Sequence, residues 1–311
     1  MISGVYFPMI PDDVFIGMPP AKGVAILGNC FVNSTTSVLA LKYTFSSESV
    51  VMGQNLLNSV CKLAATGNFS VGIFGGGGPL SNATYSDITT KYIYWNDSVI
   101  AGTNLTTART NLSAITSPTV AIFCTGYTTG NLKTQEKYVY ATDAVSFGAE
   151  LSTARARRQS SGTGNSVIGV IAGGYTSAVS AFTDKYTYGN DTFVESTALG
   201  LARNWPAGLS NPSFSIYAGG IASSPGSNYS DKYIFANESV TPGTVLSTIR
   251  YNALSADTLN YGLVFCGLNS GTAQTTTDKY VFSSGVVTSH DILAFGVSYG
   301  AGVSSIPGGL S

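Results

Sequence analysis

Charge is scarce in this chain: only 10% of its 311 residues are Asp, Glu, Lys or Arg, against about 25% in ordinary soluble domains. With a net charge of −1 there is no electrostatic footprint for nucleic acid or an anionic membrane. A single histidine, His290, rules out multi-histidine metal centres. No apolar run approaches the roughly 18 residues of a membrane-spanning helix. The start, Met1-Ile-Ser-Gly-Val-Tyr-Phe7, lacks the basic and apolar regions of a secretory signal, so a protein folded in the cytoplasm is expected. The four cysteines form no framework. Cys124 and Cys266 read as small buried residues at one repeated position, and Cys30 and Cys61 are not expected to bond.

What the chain has is a repeat. A Lys-Tyr pair followed two residues later by Tyr or Phe returns at Lys42, Lys91, Lys137, Lys185, Lys232 and Lys279, at intervals of 46 to 49 residues. That period matches one four-stranded propeller blade and is too long for a helical pair. An apolar run ending in glycine precedes each pair, as in Val71-Gly-Ile-Phe-Gly75 and Phe214-Ser-Ile-Tyr-Ala-Gly219-Gly220. Seven residues after each repeated Tyr stands Val50, Val99, Val145, Phe193, Val240 or Val287. Four copies carry an arginine eighteen residues after the Lys: Arg109, Arg155, Arg203 and Arg250.

Each unit therefore reads as four short strands, with Lys-Tyr-x-aromatic in the third. The two aromatics share one face of that strand and the Lys points to the other. This pattern resembles the kelch family, in which a Gly-Gly doublet ends the second strand and a Tyr follows about a dozen residues later. The doublet stands intact at Gly173-Gly174 and Gly219-Gly220, while Gly126 and Gly267 are single glycines before a different residue. The family's Trp is replaced by Val or Phe throughout. The resemblance spans about residues 23–305 and implies an all-β, six-bladed propeller. The copper site of galactose-oxidase-like members is excluded by the lone histidine, and no cofactor is expected.

The first copy has no room for a strand ahead of its apolar run, whereas residues 297–305 look like a first strand with no blade behind them. Residues 297–305 are expected to close the ring by pairing with 23–29, which removes a free sheet edge. The chain then divides into an extension at 1–22, with four prolines and a possible docking role, and a propeller at 23–311.

No catalytic constellation emerges. His290 has no Gly-x-Ser-x-Gly elbow beside it, and Gly75-Gly-Gly-Gly78 lacks the Lys-Ser/Thr ending of a phosphate loop. Asp184, Asp231, Asp278 and Glu136 each directly precede a repeated Lys, and recurrence at one position implies a structural partner in every blade. The arginines admit two readings: ties to loop carbonyls and the repeated acids, or a cationic collar at one mouth of the channel for an acidic ligand. Tyr127, Tyr175, Tyr229 and Trp205 would supply stacking surfaces beside that collar.

The low charge, the Gly/Ser/Thr/Asn-rich surface and the absent signal together resemble virion-associated propellers of bacteriophages. The resemblance implies a non-enzymatic structural or adhesive component of a tail fibre, collar or baseplate, with 1–22 and the loops meeting other virion proteins or a host glycan. A glycan-binding lectin unrelated to a virion is the alternative, and a polysaccharide-active enzyme the least favoured reading.

Overall fold

The computed structural model describes residues 23–28, 36–81, 84–151, 159–222, 226–290 and 292–310. The extension at 1–22 and Cys30 therefore lie outside the described residues.

Six four-stranded antiparallel sheets follow one another as blades, each a simple meander from an inner to an outer strand. Blade 2 is typical, with Ala64–Gly67 innermost, then Val71–Gly75, Thr89–Ile93 and Ser98–Ala101. The inner strands of blades 3 to 6 are Ser113–Thr116, Ser161–Gly164, Ala207–Ser210 and Leu254–Asp257. Blade 1 takes its inner strand, Ala301–Ser304, from the far end of the sequence. It pairs antiparallel with Val24–Gly28, matching Ile26 to Val303 and Leu27 to Gly302. Ring closure is thus as expected from the sequence.

The six inner strands converge on a central channel of about 190 Å³. Apart from Ile115, Leu209, Leu254, Asp257 and Val303 they are built from Ala, Gly, Ser and Thr, which suits the close approach of neighbouring strands. A Cβ on Gly162 would lie 2.1 Å from the Ala114 carbonyl oxygen, and one on Gly302 would lie 2.2 Å from that of Ser255.

Cohesion comes from six apolar clusters, one per seam between blades. The repeated tyrosines Tyr43, Tyr92, Tyr138, Tyr186, Tyr233 and Tyr280 are at most 3% exposed. Each faces the preceding blade: Tyr92 and Tyr94 pack on Val24, Ile26 and Val303 of blade 1. Burying one such side chain contributes on the order of 1.5–3 kcal/mol. The Val or Phe seven residues on is its cross-strand partner, as in Tyr92 with Val99 and Tyr186 with Phe193. Side-chain pairing across the outer hairpin accounts for that spacing.

After Ser304 the chain turns across one end of the channel. Ser305 N–H donates to Val24 O (2.8 Å), and Gly308–Leu310 form a short 3-10 turn in the channel wall. Asp257, half-buried in the channel wall, accepts from Gly308 N–H (2.9 Å) and Ser210 N–H (2.6 Å). Burial pushes its carboxyl up to about 6 against the pull of those hydrogen bonds.

Candidate site at the axial mouth

The end of the channel opposite this turn is framed by the loops entering each inner strand, where the arginines stand. Arg109, Arg203 and Arg250 are 0% exposed. Arg109 Nη2 meets Glu136 at 2.7 Å, while Nη1 donates to the carbonyls of Thr125 (3.1 Å) and Thr134 (3.0 Å). Arg203 pairs with Asp231 and donates to Gly219 O and Tyr229 O. Arg250 pairs with Asp278 at 3.0 Å and donates to Cys266 O and Thr276 O. The carboxylates also accept from loop N–H groups: Thr107 to Glu136, Gly200 to Asp231, Ser247 to Asp278. Burial draws the guanidinium pKa values down, opposed by the facing acids. Of the two readings of the arginines, this geometry is that of a tie within each blade. The three guanidinium groups line neither the channel nor its mouth and are held by acids and carbonyls of their own blades, although Arg250 Nε and Asp278 Oδ1 have no hydrogen-bond partner. Arg155 lies outside the described residues.

The glycine doublets lock these loops to the neighbouring blade. Gly77, Gly174 and Gly220 donate N–H to the carbonyls of Arg109, Arg203 and Arg250, and Gly267 donates to that of Val297, at 2.8–2.9 Å. Thr125-Gly126 and Cys266-Gly267 occupy the same left-handed pair of positions as Gly173-Gly174. The doublet's first glycine, not its second, has therefore been replaced. It follows that Cys266 does not share the position of Cys124, which ends its strand one residue earlier. Cys61, Cys124 and Cys266 are buried.

A second ring of ion pairs, which the sequence reading missed, joins the blades nearer the perimeter. Five of the six strand-three lysines reach an acid in the next blade's outer turn: Lys42 to Asp97, Lys91 to Asp143 (2.7 Å), Lys137 to Asp191 (2.9 Å), Lys185 to Glu238 and Lys279 to Glu48. The repeated Tyr braces the acid from its own blade, with Tyr92 donating to Asp97 at 3.0 Å and Tyr138 to Asp143 at 2.8 Å. The signal was present: an acid stands six residues after five of the six lysines, and Gly285 after the last. Lys232, which faces blade 6, accordingly meets no carboxylate among the described residues and sits 3.9 Å over the Phe214 ring.

On the axis itself, six equivalent residues form a rim: Lys62, Asn111, Gln159, Trp205, Asn252 and Tyr299. All are left-handed, with φ between 51° and 62°. Their backbones are linked head to tail, with Lys62 N–H donating to Tyr299 O, Asn111 to Lys62, Gln159 to Asn111, Trp205 to Gln159 and Tyr299 to Asn252, at 2.7–3.2 Å. The rim encloses a vestibule of about 100 Å³. Trp205 stacks on Tyr251 (6.1 Å between centroids, 26°) and meets Tyr299 edge-on. Asn111 and Asn252 are only 5% and 8% exposed, and Asn111 Oδ1 and Asn252 Nδ2 have no hydrogen-bond partner. Lys62 turns its ammonium outward to Leu80 O (2.7 Å). Sequence reasoning singled out only Trp205 here, although Asn111, Trp205, Asn252 and Tyr299 all stand two residues after the repeated Arg or its replacement Val297.

The three tyrosines lie farther out and half-buried. Tyr127 bridges to Thr110 and meets Tyr85 edge-on, the Tyr175 carbonyl accepts from Asn131, and Tyr229 lies beneath the Arg203 guanidinium at 5.2 Å. They are not gathered into one surface with Trp205. His290 ends the last outer strand, 3.1 Å from Thr288 Oγ1. No family model matches the chain, and no curated protein matches it.

Proposed function

We propose that this chain is a non-enzymatic recognition propeller, divergent and kelch-like, which presents the loop face around its axial mouth to a binding partner. The observation that supports this reading is the division of polar groups: Arg109, Arg203, Arg250 and five of the six repeated lysines are committed to ion pairs, whereas the axial rim joins unpartnered amide atoms to a stacked aromatic pair. We place it on a bacteriophage virion, as part of a tail fibre, collar or baseplate. Its poverty of charge and its uncharged polar composition support that setting, as does a ring closed by pairing Ala301–Ser304 with Val24–Gly28. Residues 1–22 would dock the ring to a neighbouring virion protein.

An antibody raised against the purified protein should decorate intact particles, and labelled protein should adsorb to host cells. Unlabelled particles with continued cell adsorption would leave the second reading, a glycan-binding lectin independent of a virion, which the same axial rim favours. Failure of both would remove the binding reading altogether.

A further inference from the structure

Resting on that binding reading, we infer that the axial mouth is a single site for the end unit of a neutral, hydroxyl-rich ligand, a pyranose presented along the channel axis. Three features of the vestibule lead to this class. The first is aromatic: Trp205, backed by Tyr251 and Tyr299, offers a rigid apolar surface for the C–H face of a sugar ring.

The second is the pair of amides. Asn111 and Asn252 line the vestibule from different blades, each more than nine-tenths buried, one with an unpartnered carbonyl oxygen and the other with an unpartnered amide nitrogen. A buried polar atom without a partner is rare and costly. A hydroxyl group both donates and accepts, so vicinal hydroxyls suit this pair.

The third is size and charge. About 100 Å³ holds the edge of one ring, well below the 300–1,000 Å³ that engulfs a drug-sized ligand. Among the described residues no carboxylate lines the vestibule, and the one cation there, Lys62, donates to Leu80 O and lies 5.8 Å over the Tyr299 ring. Lying on the axis, the site occurs once per ring, so stoichiometry distinguishes it from the repeated pockets a blade-by-blade lectin would carry.

Isothermal titration and saturation-transfer NMR on the full chain, with methyl glucoside, methyl mannoside, methyl galactoside and N-acetylglucosamine, test the inference against glucuronate and adenosine. The expected result is saturable binding of at least one neutral pyranoside at one site per chain. Trp205→Asn and Asn252→Gly, both compatible with a left-handed backbone, should each weaken it at least tenfold, while Lys91→Met binds as wild type. Should Trp205→Asn not fold, Asn252→Gly carries the test alone. Silence of every neutral pyranoside, binding indifferent to a folded rim variant, or tighter binding of glucuronate or adenosine would each overturn the inference. Host-cell adsorption that persists while the pyranosides are silent would overturn it and leave the binding reading standing.

Discussion

Two rings of ion pairs encircle this propeller, and they differ in depth. In the inner set, Arg109, Arg203 and Arg250 and their acids are at most 1% exposed, and each guanidinium also satisfies loop carbonyls. In the outer set, the lysines and acids are 13–41% exposed and meet at the rim of a seam. The same chemical pair does different things in the two places. Inside, it shapes a loop within one blade, and the surrounding carbonyls depend on it. Outside, it joins blades whose aromatic seam is already formed.

The largest expected effect comes from breaking the inner ring on one side. Arg203→Leu strands Asp231 and the Gly219 and Tyr229 carbonyls in a dry site, and should cost about 3–5 kcal/mol in urea unfolding. Replacing Arg203 and Asp231 together by apolar residues should recover much of that loss, because the cost lies in the abandoned charge.

Asp257 supplies an intermediate case, a half-buried acid held by N–H groups with no cation beside it among the described residues. Its folded pKa of about 6 exceeds the unfolded value of about 3.9, so the folded state binds the proton more tightly. Its contribution is full below about pH 4 and is lost as pH rises through about 6, on the order of 2–3 kcal/mol in all. Asp257→Asn should flatten that slope in denaturant midpoints between pH 4 and 7.

Four of the outer acids, Glu48, Asp143, Asp191 and Glu238, have the opposite sign. Lys279 and Lys185 hold Glu48 and Glu238 below the usual carboxylate range, and hydrogen bonds from Lys91 and Tyr138 outweigh burial to do the same for Asp143. Their contribution is present above the unfolded pKa and fades as pH falls through the lower folded one. Because they are partly exposed, Lys91→Met should cost only about 0.2–1 kcal/mol, less still in high salt.

The smallest effect is a gain. A Cβ on Gly285 would meet nothing closer than 3.6 Å, and its φ of 68°, strained for most side chains, is near the 53–56° that Asp97, Asp143 and Asp191 hold at the equivalent position. Gly285→Asp should complete the outer ring by facing Lys232, and raise stability by a few tenths of a kcal/mol. A loss would mean that the Lys232 contact with Phe214 is worth more than the missing pair.

The blade count, the strand order and the closure were legible because they rest on spacing: Lys-Tyr-x-aromatic marks a strand, and its period marks a blade. The depth of the arginines was not. A repeated Arg has the same appearance whether it meets solvent or a carbonyl, and only the approach of Glu136, Asp231 and Asp278 settles it. The rim was harder still, since Lys62, Asn111, Gln159, Trp205, Asn252 and Tyr299 share a backbone conformation and no side-chain chemistry. The outer ring was written plainly as Lys-x5-acid, and was overlooked because the residue before each Lys drew the attention.

The partner of Val24–Gly28 is Ala301–Ser304, more than 270 residues downstream. At about 5–20 residues per second of synthesis, that leading segment waits roughly 15–55 s on the ribosome before its mate emerges. Throughout that interval Ile26 and Leu27, both wholly enclosed in the finished ring, have a bare edge beside them. Nascent-chain yield should therefore respond to chaperone supply and translation speed more than the equilibrium stability of the closed ring would imply.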